Sequence, residues 1–68
     1  MSSEEIKQAM KTLAKVKYRG VIYDRITAYI YRVVESQSNS YVAVLQCELL
    51  DKCGNSVVVA EAEKVELM

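Results

Sequence analysis

Apolar residues near the N-terminus recur at the spacing of an amphipathic helix. Four of them follow the i, i+3, i+4, i+7 pattern: Ile6, Ala9, Met10 and Leu13. Ser2 and Glu5 have the spacing of a capping box, which satisfies free amide groups at a helix start. The pattern predicts a helix over residues 3–14, within an N-terminal segment 1–15. Because a helix this short is marginal alone in water, we expect its apolar stripe to dock on the rest of the chain.

From residue 16 onward, apolar and polar residues alternate with the two-residue period of β-strands. The first such stretch is 16–23, where Gly20 indicates a bulge or sharp bend within the strand. Asp24 and Arg25 form a short predicted turn. The stretch 26–34 is rich in β-branched and aromatic residues, which favour strands.

The alternation in this second strand predicts two faces. The set expected to face the core is Ile26, Ala28 and Ile30. The set expected on the opposite face is Thr27, Tyr29 and Tyr31.

The remainder of the chain predicts further strands joined by short turns. Residues 35–40 are polar and form a predicted hairpin tip, followed by a strand at 41–50 in which we expect Cys47 to face residues near Ala60. Residues 51–56 contain Gly54 and Asn55, which tolerate positive φ, and predict a turn before a strand at 57–60. The last segment predicts either one more short strand or a helical turn at 60–63 leading into it.

A helix followed by four or five strands with short connections is typical of an antiparallel arrangement. A few strongly twisted strands curl round to hide their edges. We therefore expect one domain, 1–68, that is mainly β, with a small, partly open antiparallel barrel over residues 16–67.

Three stretches resemble the small SH3-like β-barrels, many of which are short bacterial or phage proteins. They are Val16-Lys17-Tyr18-Arg19-Gly20-Val21-Ile22-Tyr23, the long second strand, and the hairpin from Glu48-Leu49-Leu50-Asp51 to Gly54-Asn55-Ser56-Val57. The resemblance rests on strand rhythm and implies a fold only. The chain lacks the tryptophan and acidic loop with which peptide-binding SH3 domains hold proline-rich ligands.

Length and composition narrow the classes of function. With 68 residues, the chain has little surface to spare for a deep, walled active site. Hydrophobic residues make up 51% and proline is absent, which is typical of a folded domain and not of a linker. No apolar run approaches the roughly 20 residues that cross a bilayer. The N-terminus lacks the pattern of a signal peptide, so we expect a cytoplasmic protein without a membrane partner.

The residues needed for catalysis, metal binding or cofactor binding are scarce. There is no histidine to act as the usual general base, no Gly-rich phosphate loop and no nucleophile motif. Two cysteines without histidine cannot form a four-ligand zinc site, and we expect Cys47 and Cys53 to be free thiols. We predict no catalytic, metal or cofactor residue and no small-molecule substrate, and we expect that the chain is not an enzyme.

Charge is divided unevenly along a chain whose net charge is zero. Residues 1–34 carry seven basic and three acidic side chains, whereas residues 35–68 carry two basic and six acidic ones. The simpler interpretation is that the halves neutralise each other across the fold. The alternative is a basic face that meets an anionic partner.

The tyrosines suggest a binding face. If the second face of the long strand is exposed, its rings lie near basic side chains, and the candidate face is Lys17, Arg19, Arg25, Tyr29, Tyr31 and Arg32. Such a face can stack nucleobases or anchor a protein, although the same rings could instead receive the helix. We favour a protein-interaction or adaptor module, with a protein partner or a second copy, because nucleic-acid-binding domains are usually net basic. Nucleic-acid binding is the alternative.

Overall fold

One helix and two three-stranded antiparallel sheets make up the structure. The computed structural model describes all 68 residues. In chain order the elements are α1 (Ser3–Thr12), β1 (Val16–Tyr18), β2 (Val21–Tyr23), β3 (Arg25–Glu35), β4 (Tyr41–Leu50), β5 (Val57–Glu61), a 3₁₀ turn (Ala62–Lys64) and β6 (Val65–Leu67). The short sheet has the order β2-β1-β6, and the long sheet has the order β3-β4-β5.

The prediction of a mainly β chain with one N-terminal helix is confirmed, but the strands form two open sheets and no closed barrel. The chain passes from the short sheet to the long sheet through a bend at Asp24 and returns through the 3₁₀ turn. A helical turn leading into a last strand was the second alternative for the C-terminal segment, and it is present, but at Ala62–Lys64 and not at 60–63, because β5 continues to Glu61. The helix is too short to span a bilayer.

The helix begins with the predicted capping box. The backbone N–H of Glu5 donates to the hydroxyl of Ser2 at 3.2 Å, and the N–H of Ser2 donates to Oε1 of Glu5 at 2.9 Å. The predicted C-terminal end was too long, because Leu13 adopts a left-handed conformation with φ 55° and ends the helix. Leu13 is therefore 61% exposed, and the buried part of the stripe is Ile6 and Ala9.

Gly20 lies in a hairpin turn between two strands, so the chain does bend sharply here, but the prediction of a bulge or bend within one strand was wrong. Arg19 and Gly20 have φ values of 51° and 80°, and Tyr18 pairs directly with Val21. Positive φ at both central residues of a two-residue loop matches the right-handed twist of the flanking strands. The stretch 16–23 is therefore a small hairpin, not one continuous strand.

A bulge at Thr27 sets the faces of β3. Ile26 pairs with Leu49 and Ala28 pairs with Glu48, so Thr27 is an extra residue on β3. Its hydroxyl donates to Oε1 of Glu48 at 2.8 Å.

The extra residue reverses the alternation beyond it, and the predicted faces were wrong from Ala28 onward. Ile26 is buried as predicted, but Tyr29 lies opposite buried Cys47 and so shares the core face. Ala28 and Ile30 lie on the outer face, opposite Glu48 and Gln46. Because the side-chain period of a strand is two, one inserted residue moves every later side chain to the other face.

The core lies between the two sheets and under α1. Ten of the 68 residues are buried, which is a small core even for a chain of this length. They are Ile6 and Ala9 of α1, Val16, Tyr18 and Val65 of the short sheet, Ile26, Cys47, Leu49 and Ala60 of the long sheet, and Ala62 of the 3₁₀ turn. The predicted docking of the helix stripe on the strands is confirmed.

Both cysteines are free, as predicted, with Cys47 buried and Cys53 exposed. Cys47 lies opposite Ala60 on β5, and burial raises the pKa of its thiol.

The ion pairs form within each half of the chain and not across the fold. Asp24 accepts a hydrogen bond from the Lys15 ammonium at 3.2 Å, and its other carboxylate oxygen lies 3.7 Å from the Arg25 guanidinium. The Lys64 ammonium lies 2.9 Å from the Glu61 carboxylate.

Removing the helix cap should destabilise the protein by a measurable amount. We expect Ser2→Ala to lower the free energy of unfolding by about 1 kcal/mol at neutral pH, measured by urea denaturation. The hydrogen bonds from Ser2 lower the pKa of Glu5 below its ordinary value of 4.5. A depressed carboxyl pKa stabilises the folded state at pH values above that ordinary pKa. The difference in the free energy of unfolding between wild type and variant should therefore narrow as the pH falls below it. An unchanged difference down to strongly acid pH would contradict this account.

The two thiols should differ sharply in reactivity. At neutral pH an aromatic disulfide reagent should modify Cys53 rapidly and Cys47 only as fast as the core opens, since Cys47 is fully buried. In Cys53→Ser the rapid phase should disappear. Two equally rapid phases in the wild type would show that Cys47 does not lie in the core.

Candidate interaction surface

The outer half of the β3–β4 hairpin extends beyond the rest of the long sheet. β5 pairs with β4 only from Gln46 to Leu50, so residues 31–45 form a two-stranded ribbon without a third strand. We call residues 31–45 the arm. The molecule is correspondingly elongated, with extents of 40 × 23 × 18 Å.

The inner face of the arm continues the core face of the sheet and is mostly apolar. We call the end of the arm next to β5 its root and the end at the turn its tip. Three cross-strand rows run from root to tip: Tyr31 with Leu45, Val33 with Ala43, and Glu35 with Tyr41. Leu45 packs against the edge of the core, but Tyr31 is 65% exposed and Tyr41 is 73% exposed, so most of this face has no cover within the chain.

The outer face of the arm is also apolar. Val34 pairs with Val42, and both are exposed, while Arg32 pairs with Val44. An antiparallel ribbon with one solvated face normally carries polar residues on that face. Apolar side chains on both faces are instead typical of strands that are covered on both sides.

Polar residues are confined to the tip and to a few positions on the arm. The tip turn is Ser36–Ser40, and its ends are joined by a hydrogen bond from the N–H of Ser36 to the carbonyl of Ser40 at 2.7 Å. Arg32 and Glu35 are the only charged residues of the arm, which therefore has no net charge.

The helix covers one of the two inner tyrosines and leaves the other exposed. Tyr29 packs against the core, and the ammonium of Lys7 on α1 lies 5.3 Å from the centre of its ring. Tyr31, two residues along the same face, lies beyond this cover and is mostly exposed. Of the two uses weighed for this face, the structure shows the first at Tyr29, which receives the helix, and it leaves only Tyr31 exposed.

The structure distributes the basic residues of the candidate face over several surfaces. Arg32 lies on the outer face of the arm, opposite in direction to Tyr31, and its Nε donates to Oε1 of Gln46 at 2.8 Å. Arg25 pairs with Asp24 at the start of β3.

Lys17 and Arg19 belong to the small β1–β2 hairpin of the other sheet. The guanidinium of Arg19 lies 5.4 Å from the centre of the Tyr18 ring. Of the six predicted residues, Tyr29 and Tyr31 share the inner face of β3, and Arg25 and Arg32 lie on its outer face. Lys17 and Arg19 lie together on the short sheet.

A cleft of about 300 Å³ adjoins the inner face of the arm. It is lined by Met1, Ala43, Val44, Leu45, Glu61, Ala62 and Glu63. The Lys64 ammonium holds the pKa of Glu61 below its ordinary value, and the charge of Arg19 acts in the same direction. Glu61 therefore stays ionised at neutral pH, at one edge of a cleft whose other walls are mainly apolar.

No group of three or more histidine, cysteine or carboxylate side chains is positioned to hold a metal ion.

Sequence reasoning missed Val33, Tyr41 and Val42 as surface residues. The available signal was the lack of alternation at 33–34 and 41–45, where apolar residues follow one another directly. Such a run indicates burial on both faces, and burial of both faces is impossible for a ribbon with no other layer beside it.

Comparison of the chain with protein-family models, curated proteins and solved structures finds no match.

Substitutions at the two inner tyrosines should show which part of the inner face the helix covers and which part is exposed. We expect Tyr29→Ala to lower the free energy of unfolding by about 2 kcal/mol, because its ring packs between α1 and the core. Tyr31→Ala should change it by less than about 0.5 kcal/mol in dilute protein, because most of that residue is already exposed. The measurement is urea denaturation at low micromolar concentration. If both variants lost the same free energy of unfolding, the β3–β4 register that covers only Tyr29 would be contradicted.

Proposed function

We propose that the chain is a non-enzymatic protein-interaction module and that the arm is its binding surface. The observation that carries the proposal is the exposure of apolar side chains on both faces of a two-stranded ribbon. Isolated two-stranded ribbons are marginally stable in water and need another layer against them. Monomeric proteins rarely expose a continuous apolar patch of more than a few hundred Å². A protein partner would provide both the layer and the cover.

The composition of the arm supports a protein partner in particular. Tyrosine is enriched at the centres of protein interfaces and charged residues are depleted there. Tyr31 and Tyr41 supply large rings with few rotatable bonds, and the single charges of Arg32 and Glu35 balance each other.

The proposal also includes an SH3-like, partly open barrel, in which each sheet forms one half. The short connections between strands and the bend at Asp24 support this architecture.

Nucleic-acid binding is the second candidate, and one observation favours it. An open cleft on the short sheet is lined by Lys17, Arg19 and Lys64, with Gly20 and Glu66. Three cations could contact phosphates, but the aromatic ring beside Arg19 is that of Tyr18, which is buried under the guanidinium. We rank this candidate below protein binding because stacking of bases needs exposed rings beside the cations.

A single-stranded RNA titration separates the two candidates. At low salt we expect no binding tighter than about 100 µM, because the basic residues are few and distributed over several surfaces. Micromolar binding that weakens with added salt, and that Arg19→Ala reduces while Arg32→Ala does not, would place nucleic acid ahead of protein.

Photo-crosslinking tests the proposed surface directly. A photoreactive phenylalanine analogue in place of Tyr41, at the tip of the arm, should give covalent adducts with protein, either a second copy or another chain. The matched control places the same analogue at Asn55, an exposed turn position away from the arm, where adducts should be rare. Equal adducts at both positions, or adducts removed by nuclease, would refute the proposal.

A further inference from the structure

We propose that the partner on the inner face of the arm is a second copy of this chain, bound through a two-fold symmetric contact between two antiparallel arms. This inference rests on the proposed function and specifies its partner. A two-fold contact uses the same patch on both copies, so the patch must be complementary to itself in shape and in charge. The inner face of the arm meets both requirements.

The shape of the inner face is symmetric about its middle row. The root row, Tyr31 with Leu45, is bulky, and the tip row contains the Tyr41 ring. The middle row, Val33 with Ala43, is small. A two-fold axis across the strands at this middle row places the tip of each arm over the root of the other. The small side chains then meet at the axis, and the large ones interleave on either side.

The cleft beside the arm gives the Tyr41 ring a place to bind. In this arrangement Tyr41 of one copy lies over Leu45 of the other, and Leu45 lines the cleft of about 300 Å³ together with Ala43 and Ala62. That volume can hold one aromatic side chain, whose polar hydroxyl needs a hydrogen-bond partner when buried. The Glu61 and Glu63 carboxylates at the rim of the cleft are suitable acceptors.

The charges of the inner face are compatible with self-association. Glu35 is the only charged residue in the three rows, and the symmetric arrangement places it opposite Tyr31 and not opposite another carboxylate. Like charges that face each other at an interface are strongly unfavourable, and this arrangement avoids them. A tyrosine hydroxyl opposite the carboxylate can instead donate a hydrogen bond to it.

The amount of exposed surface agrees with a small dimer contact. The chain exposes 4701 Å², whereas a compact monomer of this mass exposes about 4,300 Å². The excess of roughly 400 Å² per chain comes from the projecting arm, and an inner face of three cross-strand rows is smaller than the roughly 800 Å² per partner that a standard stable interface buries. We therefore expect a dimer with a dissociation constant in the micromolar range, so that both species can be observed.

Sedimentation velocity of the purified full chain tests this contact. From about 1 to about 500 µM the wild type should convert from monomer to dimer. Tyr41→Ala should raise the dissociation constant at least about 10-fold, and Ala43→Arg, which sets two cations at the axis, at least about 100-fold. The matched control is Val59→Arg on the outer face of β5, which is 48% exposed and should change the constant less than about 2-fold.

Three results would overturn the inference. The first is a wild type that stays monomeric throughout this range, and the second is a dimer that Tyr41→Ala and Ala43→Arg leave unchanged. The third is a dimer that only Val59→Arg breaks, since the contact would then lie on the outer face. Tyr41 is exposed, so its variant should fold even if Ala43→Arg does not, and circular dichroism at low concentration verifies this. A monomeric wild type whose Tyr41 analogue still crosslinks to other proteins would refute the dimer and leave the proposed function standing; absence of both would refute both.

Discussion

The bulge at Thr27 determines which side chains of the long hairpin face the helix. With the extra residue, Tyr29 lies opposite Cys47 and under α1, and the same face continues outward through Tyr31 and Val33. Without it, the outward-facing Ala28 would occupy the core face in place of an aromatic ring. The docking of the helix, the composition of the core and the apolar inner face of the arm all depend on this one residue.

The small core leaves the outer half of the long hairpin uncovered. The short helix buries Ile6 and Ala9 against the strands and partly covers Tyr29, but it leaves Tyr31 exposed. The chain has no other element to cover the outer half of the hairpin, since β5 stops opposite Gln46. A chain of this size gains stability when association buries surface that its own fold cannot cover. The structure therefore combines a half that packs on its own core, near the helix, with a half whose apolar side chains remain exposed.

Local signals predicted much of the fold, and the errors came from backbone details. The capping box, the hairpin tip at 35–40 and the pairing of Cys47 near Ala60 follow from spacing and turn composition, and all are present. The bulge could not be predicted, because Thr27 is an ordinary strand residue and its extra position depends on pairing with a distant strand. The hairpin turn at Gly20 was missed because it requires positive φ at Arg19 as well, and arginine rarely adopts that conformation. The proposed surface changed for the same reason: alternation alone placed the tyrosines on the wrong face and grouped them with arginines that the fold separates.

Hydrogen exchange of the arm amides tests most directly whether association stabilises the arm. The measurement compares wild type with Ala43→Arg at about 200 µM, following backbone amides of residues 31–35 and 41–45 against those of the core strands. The account predicts protected arm amides in the wild type, at least about 10-fold faster exchange of the same amides in the variant, and unchanged protection near Cys47. Equal protection of the arm in both proteins would show that the ribbon is stable alone, and would contradict the account.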